Sequence, residues 1–164
     1  LNRGLSQLTS FTEDMQERGR TVATQLLEFK TQIPPARVAN LMEIRTDTPL
    51  IFIYRLRYAD NIPMALNVSY LNLPEGINIS ESDLLKVSSL FSLLENTGIR
   101  LIEADKTIES IPANEEYAGL LNMNIGEPLL FVEGIVYTLN HVPVEYHQVI
   151  SCGERHKYSL HLNR

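Results

Sequence analysis

Two arginines two positions apart, Arg55 and Arg57, stand in the β-rich run Leu50 to Tyr58 and are the side chains best suited to bind something charged. Alternation along an extended strand puts Leu50, Phe52, Tyr54, Leu56 and Tyr58 on one face, and Ile51, Ile53, Arg55 and Arg57 on the other. Guanidiniums about 7 Å apart and pointing the same way offer forked donors that match a phosphate or a carboxylate. A solvated or ion-paired sheet face would show the same pattern. Ser10 and Ser89 open two predicted helices, whose free N–H groups and partial positive charge attract anions, although local capping also explains a serine at either place. Glu145 and His147 alternate on a later strand, with Asn67 on an earlier one. A carboxylate, an imidazole and an amide held this way suit hydroxyl and amine recognition, with solvent-facing polar residues as the alternative.

Signatures of catalysis are thin. The chain has no Gly-x-Ser-x-Gly elbow, no Walker-type loop, no Gly-x-Gly-x-x-Gly fingerprint and no His-Glu-x-x-His. His141, His147, His156 and His161 lack metal-ligand spacing, so neither a metal nor a cofactor is expected. Cys152, the one cysteine, cannot bridge internally, which points to a reducing compartment and a cytoplasmic protein. Glu145 with Arg55 keeps open acid–base work on a small acid.

The elements that position these residues come in two copies. An offset of about 79 residues recurs along the chain: Ser10-Phe11 with Ser89-Leu90, Gly19 with Gly98, Ile33-Pro34 with Ile111-Pro112, Phe52 with Phe131, Tyr58 with Tyr137 and Asn61 with Asn140. One inserted residue later, Pro63 matches Pro143. Each half reads as helix, strand, short helix, strand, turn, strand. Half one has a helix over Ser10–Glu17 (Ser10 and Glu13 forming a capping box), strands at Thr21–Ile33, Pro49–Tyr58 and Met64–Leu71, and a helix at Ala36–Glu43. Asp60-Asn61 reads as a hairpin turn. Half two has helices at Leu90–Asn96 and Asn114–Leu121, and strands at Arg100–Ile111, Leu129–Leu139 and Pro143–Ser151. A further helical turn is expected after Ser80, and Tyr158–Leu162 reads as a last extended run. The sum is one α+β domain, an antiparallel sheet of about six strands with flanking helices, and its pseudo-twofold seam is a natural place for a ligand. The arginines mark an asymmetry, because their counterparts are Gly134 and Val136; likewise Glu145 stands opposite Ala65, and His147 opposite Asn67.

Composition sets bounds on this reading. The 164 residues are 44% hydrophobic and 21% charged, enough for a core without disulfide or metal staples. A net charge of −6 with no basic run makes the chain itself a poor nucleic-acid binder. Its longest apolar run, residues 128–132, is far short of the ~20 residues that span a bilayer, so no membrane partner is expected.

Three motifs, taken in order, resemble the UTRA effector-binding domain of HutC-type GntR transcriptional regulators. They are Leu8-Thr9-Ser10-Phe11-Thr12-Glu13-Asp14-Met15, Tyr54-Arg55-Leu56-Arg57-Tyr58-Ala59-Asp60 running into Ile62-Pro63-Met64-Ala65, and Val142-Pro143-Val144-Glu145-Tyr146. The resemblance implies a chorismate-lyase-like fold over residues 8–164, with residues 1–7 as the tail of an interdomain linker. It also implies a homodimer whose DNA contact, typically as a repressor, is made only through an N-terminal winged helix-turn-helix absent from this chain. The implied effector is a small anionic metabolite, most similar to a phosphorylated sugar or amino sugar. Its phosphate would be held by Ser10, Phe11 and Thr12 at the first helix start, by Arg55 and Arg57, and by Ser89, while Glu145 falls on the family's sugar-contacting glutamate. Three positions depart from those sugar-phosphate sensors: Phe91 replaces a tyrosine, Asn67 a glutamate, and Ser151 a second tyrosine. The resemblance implies a regulator and not an enzyme; the alternative is a chorismate-lyase-like enzyme acting on a small carboxylic acid.

Overall fold

The computed structural model describes residues 11–87 and 89–158. Ser10, the proposed linker tail 1–7 and most of the expected run Tyr158–Leu162 lie outside the described residues; Tyr158 itself is not in a strand. In chain order the elements are α1 (Phe11–Glu17), β1 (Val22–Gln32), α2 (Ala36–Leu41), β2 (Leu50–Ala59), β3 (Ile62–Leu71), α3 (Glu81–Leu85), α4 (Leu90–Asn96), β4 (Glu103–Pro112), α5 (Glu115–Leu121), β5 (Pro128–Thr138) and β6 (Val142–Cys152). The strands form one antiparallel sheet in the order β1-β2-β3-β6-β5-β4. Each half supplies three neighbouring strands, and the halves meet where β3 pairs with β6.

The duplication is written into the irregularities. An extra residue in β3, Met64, shifts the register opposite Arg57 and Tyr58 of β2, and one in β6, Val144, does so opposite Val136 and Tyr137 of β5, at equivalent places in the two halves. Both β-hairpins turn through left-handed residues: Asp60 (φ 51°) and Asn61 (φ 63°) in half one, Asn140 (φ 61°) and His141 (φ 57°) in half two. Two consecutive positive φ angles are what a type I′ hairpin needs, and Asp and Asn tolerate them. Half two carries its inserted residue in the 3₁₀ turn Leu139–His141.

Helices cover both faces. On one face α2 brings Val38 and Met42 onto Leu50, Tyr70, Ile135 and Tyr146, while α5 brings Ala118 and Leu121 onto Leu56, Leu66, Leu129 and Ile150. On the other, α4 buries Leu90, Leu93 and Leu94 with Leu84 of α3 against Ile53, Leu71 and Val136. Met15 of α1 packs with Ala59 and Met64. The short helices hold their ends with side chains: Ser80 and Asp83 make a reciprocal capping box, Ser89 accepts from the Ser92 N–H, and Asn114 from the Tyr117 N–H. The expected helix Ala36–Glu43 stops early, because Glu43 turns left-handed at φ 57°. The strand expected from Arg100 likewise starts three residues later, at Glu103.

Candidate functional site

Cross-strand register decides which polar side chains share a face. Arg55 of β2 lies opposite Asn67 of β3, and Arg57 opposite Ala65, which in turn faces Ser151 of β6. The next row runs Ser69, His147, Gly134 and Lys106 across β3, β6, β5 and β4. Glu145 sits two residues before His147, in the row of Leu71 and Val136. Alternation therefore gathers Arg55, Arg57, Asn67, Ser69, Glu145, His147, Ser151 and Lys106 on the face covered by α1, α3 and α4.

Most of these groups are buried, which is unusual for such a set. The Arg55 side chain, 4% exposed, makes no hydrogen bond to any described residue, and its Nε is fully enclosed. Burial pulls its pKa down to about 10, opposed by the Glu145 carboxylate. Arg57 donates from Nη2 to Thr12 Oγ1 at 2.6 Å and lies with its guanidinium carbon 4.8 Å from the centre of the Phe11 ring. Burial and the charge of Arg55 hold its pKa well below the ordinary arginine value. Asn67 Oδ1 and Ser151 Oγ are likewise enclosed without partners among the described residues. His147 Nδ1 stands 3.2 Å from Glu145 Oε1 but off the direction of a hydrogen bond.

A buried polar group without a partner costs about 1–3 kcal/mol, more if charged. Native proteins keep few of them, and each calls for an explanation. Here Arg55, Asn67, Ser151 and His147 share one sheet face. Together they make a surface ready to exchange hydrogen bonds with a small polar molecule whose charge is negative on the arginine side.

The structure brings together most of the residues singled out from sequence. Phe11 and Thr12 of α1 meet Arg57; Arg55, Asn67, Glu145 and Ser151 share its face. Ser89 is buried and caps α4. Phe91 is half-buried and packs on the cluster of Ile53, Leu71 and Val136 rather than standing free. Ser10 lies outside the described residues. Sequence reasoning passed over Ser69 and Lys106. Ser69 carried a signal, since it alternates with Asn67; Lys106, itself exposed on an edge strand of mostly exposed residues, carried none. It also passed over the tie at the chain's end, where buried His156 sits 6.5 Å from the Phe11 ring and 4.7 Å edge-on from Tyr158.

Among the described residues, no three of His, Cys, Asp and Glu come together as a metal ion would require, and no helix is long and apolar enough to cross a membrane.

A protein-family model described as the UTRA domain matches residues 17–157. The HTH-type transcriptional repressor NagR of Bacillus subtilis is 27% identical over 165 residues, covering all of this chain and 67% of that protein. A probable fructoselysine utilization operon transcriptional repressor of Escherichia coli is 22% identical, over 94% of this chain and 63% of its own. The chain thus spans about two thirds of the length of such relatives. Among solved structures, the ligand-binding domain of a protein assigned to the GntR-family transcriptional regulators, from Bordetella bronchiseptica, superposes with a TM-score of 0.81 at 25% identity, over 87% of this chain and 90% of that one. The effector domain of PhnF from Mycobacterium smegmatis gives 0.81 at 17% identity, over 94% and 95%.

Proposed function

The chain belongs to the UTRA family, and on that premise we propose that it is the effector-sensing domain of a bacterial GntR-type regulator whose ligand is a small anionic metabolite, a phosphorylated sugar or amino sugar. One observation carries the reading: a buried arginine, Arg55, that has no hydrogen-bonding partner among the described residues lies on the same sheet face as Asn67, Ser151 and His147, each with an enclosed polar atom that no described residue pairs. A phosphate is the partner that satisfies it, since a guanidinium binds a tetrahedral oxyanion through two parallel hydrogen bonds. Arg57 and Thr12 supply a second anchor, and Glu145, Asn67 and Ser151 supply acceptors and donors for hydroxyls.

The proposed readout runs through α1. Thr12 and Phe11 hold Arg57, so an anion drawn to the arginines also fastens α1. In a regulator with a DNA-binding domain ahead of this helix, effector binding would change how that domain is held, in a homodimer on DNA. An effector that binds one global state tenfold better than the other supplies about 1.4 kcal/mol of coupling. The relatives reported above are transcriptional regulators, which favours this reading over a lyase and over any other enzyme, and suits a cytoplasmic protein.

The test is a thermal-unfolding screen with phosphosugars, their unphosphorylated parents, chorismate and dicarboxylates. A ligand at a hundred times its Kd stabilises by about 2.7 kcal/mol, which raises the midpoint by roughly 5–10 °C for a domain of this size. A shift with a phosphosugar and none with its parent sugar supports the reading. No shift with any phosphosugar overturns it, and conversion of chorismate would replace it with the lyase.

A further inference from the structure

The sheet face turned away from the arginines carries a groove of about 290 Å³. Its floor is aromatic: Phe52 belongs to the cluster under α2, Tyr54 and Tyr117 to the cluster under α5, and the rings of Phe52 and Tyr54 are 6.5 Å apart. Glu28, Glu116 and Lys30 supply its charges. Lys30 Nζ stands 2.7 Å from Glu28 Oε2 and 5.6 Å from the centre of the Phe52 ring, so the groove already holds one cation on an aromatic face. Glu116 has no such neighbour. Its Oε1 accepts from the Tyr54 hydroxyl at 2.9 Å, and it forms no ion pair with a described residue. Burial, and then that hydrogen bond, push the pKa of Tyr54 upward, so the hydroxyl keeps its proton.

The repeat shows what Glu116 lacks. At the offset of about 79 residues Glu116 corresponds to Arg37 and Tyr54 to Glu133, and Arg37 and Glu116 are each the second residue of their helix. In that other copy Arg37 Nη1 and Nη2 donate to Glu133 Oε2 and Oε1, both at 2.5 Å, and the Tyr146 hydroxyl donates to Glu133 Oε2, also at 2.5 Å. Guanidinium, carboxylate and tyrosine hydroxyl thus form a closed set between α2 and the sheet. Between α5 and the sheet the carboxylate and the hydroxyl are joined in the same way, and no guanidinium of a described residue completes them. We propose that the groove is a second ligand site and takes a small molecule bearing a guanidinium group, paired with Glu116 and stacked on the aromatic floor. Charge favours this, since two carboxylates against one ammonium leave one negative charge for a ligand to neutralise. Shape favours it as well, because a guanidinium is a planar fork that meets a carboxylate edge-on and lies flat on an aromatic ring, whereas an ammonium is a compact point charge. A volume of about 290 Å³ is at the lower end of small-molecule pockets and suits such a ligand. The inference is independent of the phosphosugar reading, because the two sites lie on opposite faces of the sheet.

The test is an NMR titration of the ¹⁵N-labelled chain with n-butylguanidinium and with n-butylurea, which has the same shape and no charge, at matched ionic strength. Butylguanidinium should give saturable shifts centred on Tyr54, Glu116 and Tyr117, and butylurea should bind at least about fivefold more weakly. Glu116→Gln keeps the size of the side chain and removes its charge, so it should weaken butylguanidinium by at least about fivefold and leave butylurea unchanged. Glu116 is exposed, and a thermal midpoint near that of the parent chain shows that the variant is folded. Shifts that do not saturate or that centre elsewhere, equal binding of the two probes, or binding of butylguanidinium undiminished in Glu116→Gln each overturn the inference. The phosphosugar reading is tested apart from it, by the thermal shift with a phosphosugar, which Glu116→Gln should leave as it is in the parent chain.

Discussion

Replacing Arg55 with methionine should do two opposite things at once, stabilising the empty protein and abolishing its response to an anionic ligand. The side chain is buried, forms no hydrogen bond with a described residue, and has its pKa pulled down from the ordinary arginine value to about 10 by that burial. At about 1.4 kcal/mol per unit, the enclosed charge costs on the order of 3 kcal/mol in the empty state. Methionine fills much of the same length without charge, and replacing a buried ionic group by a packed apolar one is often neutral or stabilising. Glu145 loses one favourable neighbour but keeps Lys106 and His147 nearby. Allowing about half of the gain for that loss and for imperfect packing leaves roughly 1–2 kcal/mol, which is a rise of roughly 2–8 °C in the unfolding midpoint. Truncating one member of a buried charged pair in a complex costs about 2–5 kcal/mol, so affinity for a phosphosugar should fall by at least about thirtyfold. Thermal unfolding with and without ligand reads both numbers in one experiment. A midpoint that drops by several degrees in the absence of ligand, with the ligand-induced shift retained, would refute the reasoning: Arg55 would then be a structural residue with a partner inside the fold.

Two further outcomes follow from the same geometry. Gly134→Ala should lower the midpoint by roughly 3–10 °C, from about 1–3 kcal/mol of overpacking, because its Cβ meets a backbone oxygen at 2.8 Å that no rotamer change can move; an unchanged midpoint would mean that β4 and β5 part freely at this row. His156 is buried and its pKa is lowered from 6.5, mainly by that burial, so below about pH 6.5 the unfolded chain takes up a proton that the folded one resists and stability falls with pH. His156→Gln cannot titrate, and a midpoint measured across that range should decline less steeply than in the parent chain; parallel curves would remove His156 from the acid sensitivity.

Much of the fold was legible because its signals are local. Alternation over Leu50–Tyr58 separates the arginines from the apolar face, and the Asp60-Asn61 pair marks a type I′ turn by its tolerance of positive φ. The capping residues Ser80, Ser89 and Asn114 mark helix starts within a residue. The repeat foretold even what it did not name, since the two bulged residues, Met64 in β3 and Val144 in β6, sit at matching places in the two halves. Boundaries were less legible where a single backbone angle decides them, as at Glu43, whose left-handed φ ends α2 against an unbroken helical pattern.

The amino-acid sequence by itself determined the strands, the side on which each polar residue lies within its own strand, and the asymmetry between Arg55 and Gly134, because a period of two and a local turn are properties of neighbouring residues. Only the tertiary structure decided that Arg55 is enclosed without a partner among the described residues, that the ring of His147 rests on the bare backbone of Gly134, and that Lys106 closes the same row. Those facts depend on the register between β3 and β6 and between β5 and β6, strands that lie far apart in the chain or slip relative to one another at a bulge. Pairing across such distances is set by the packing of both sheet faces together, and no window of residues contains it.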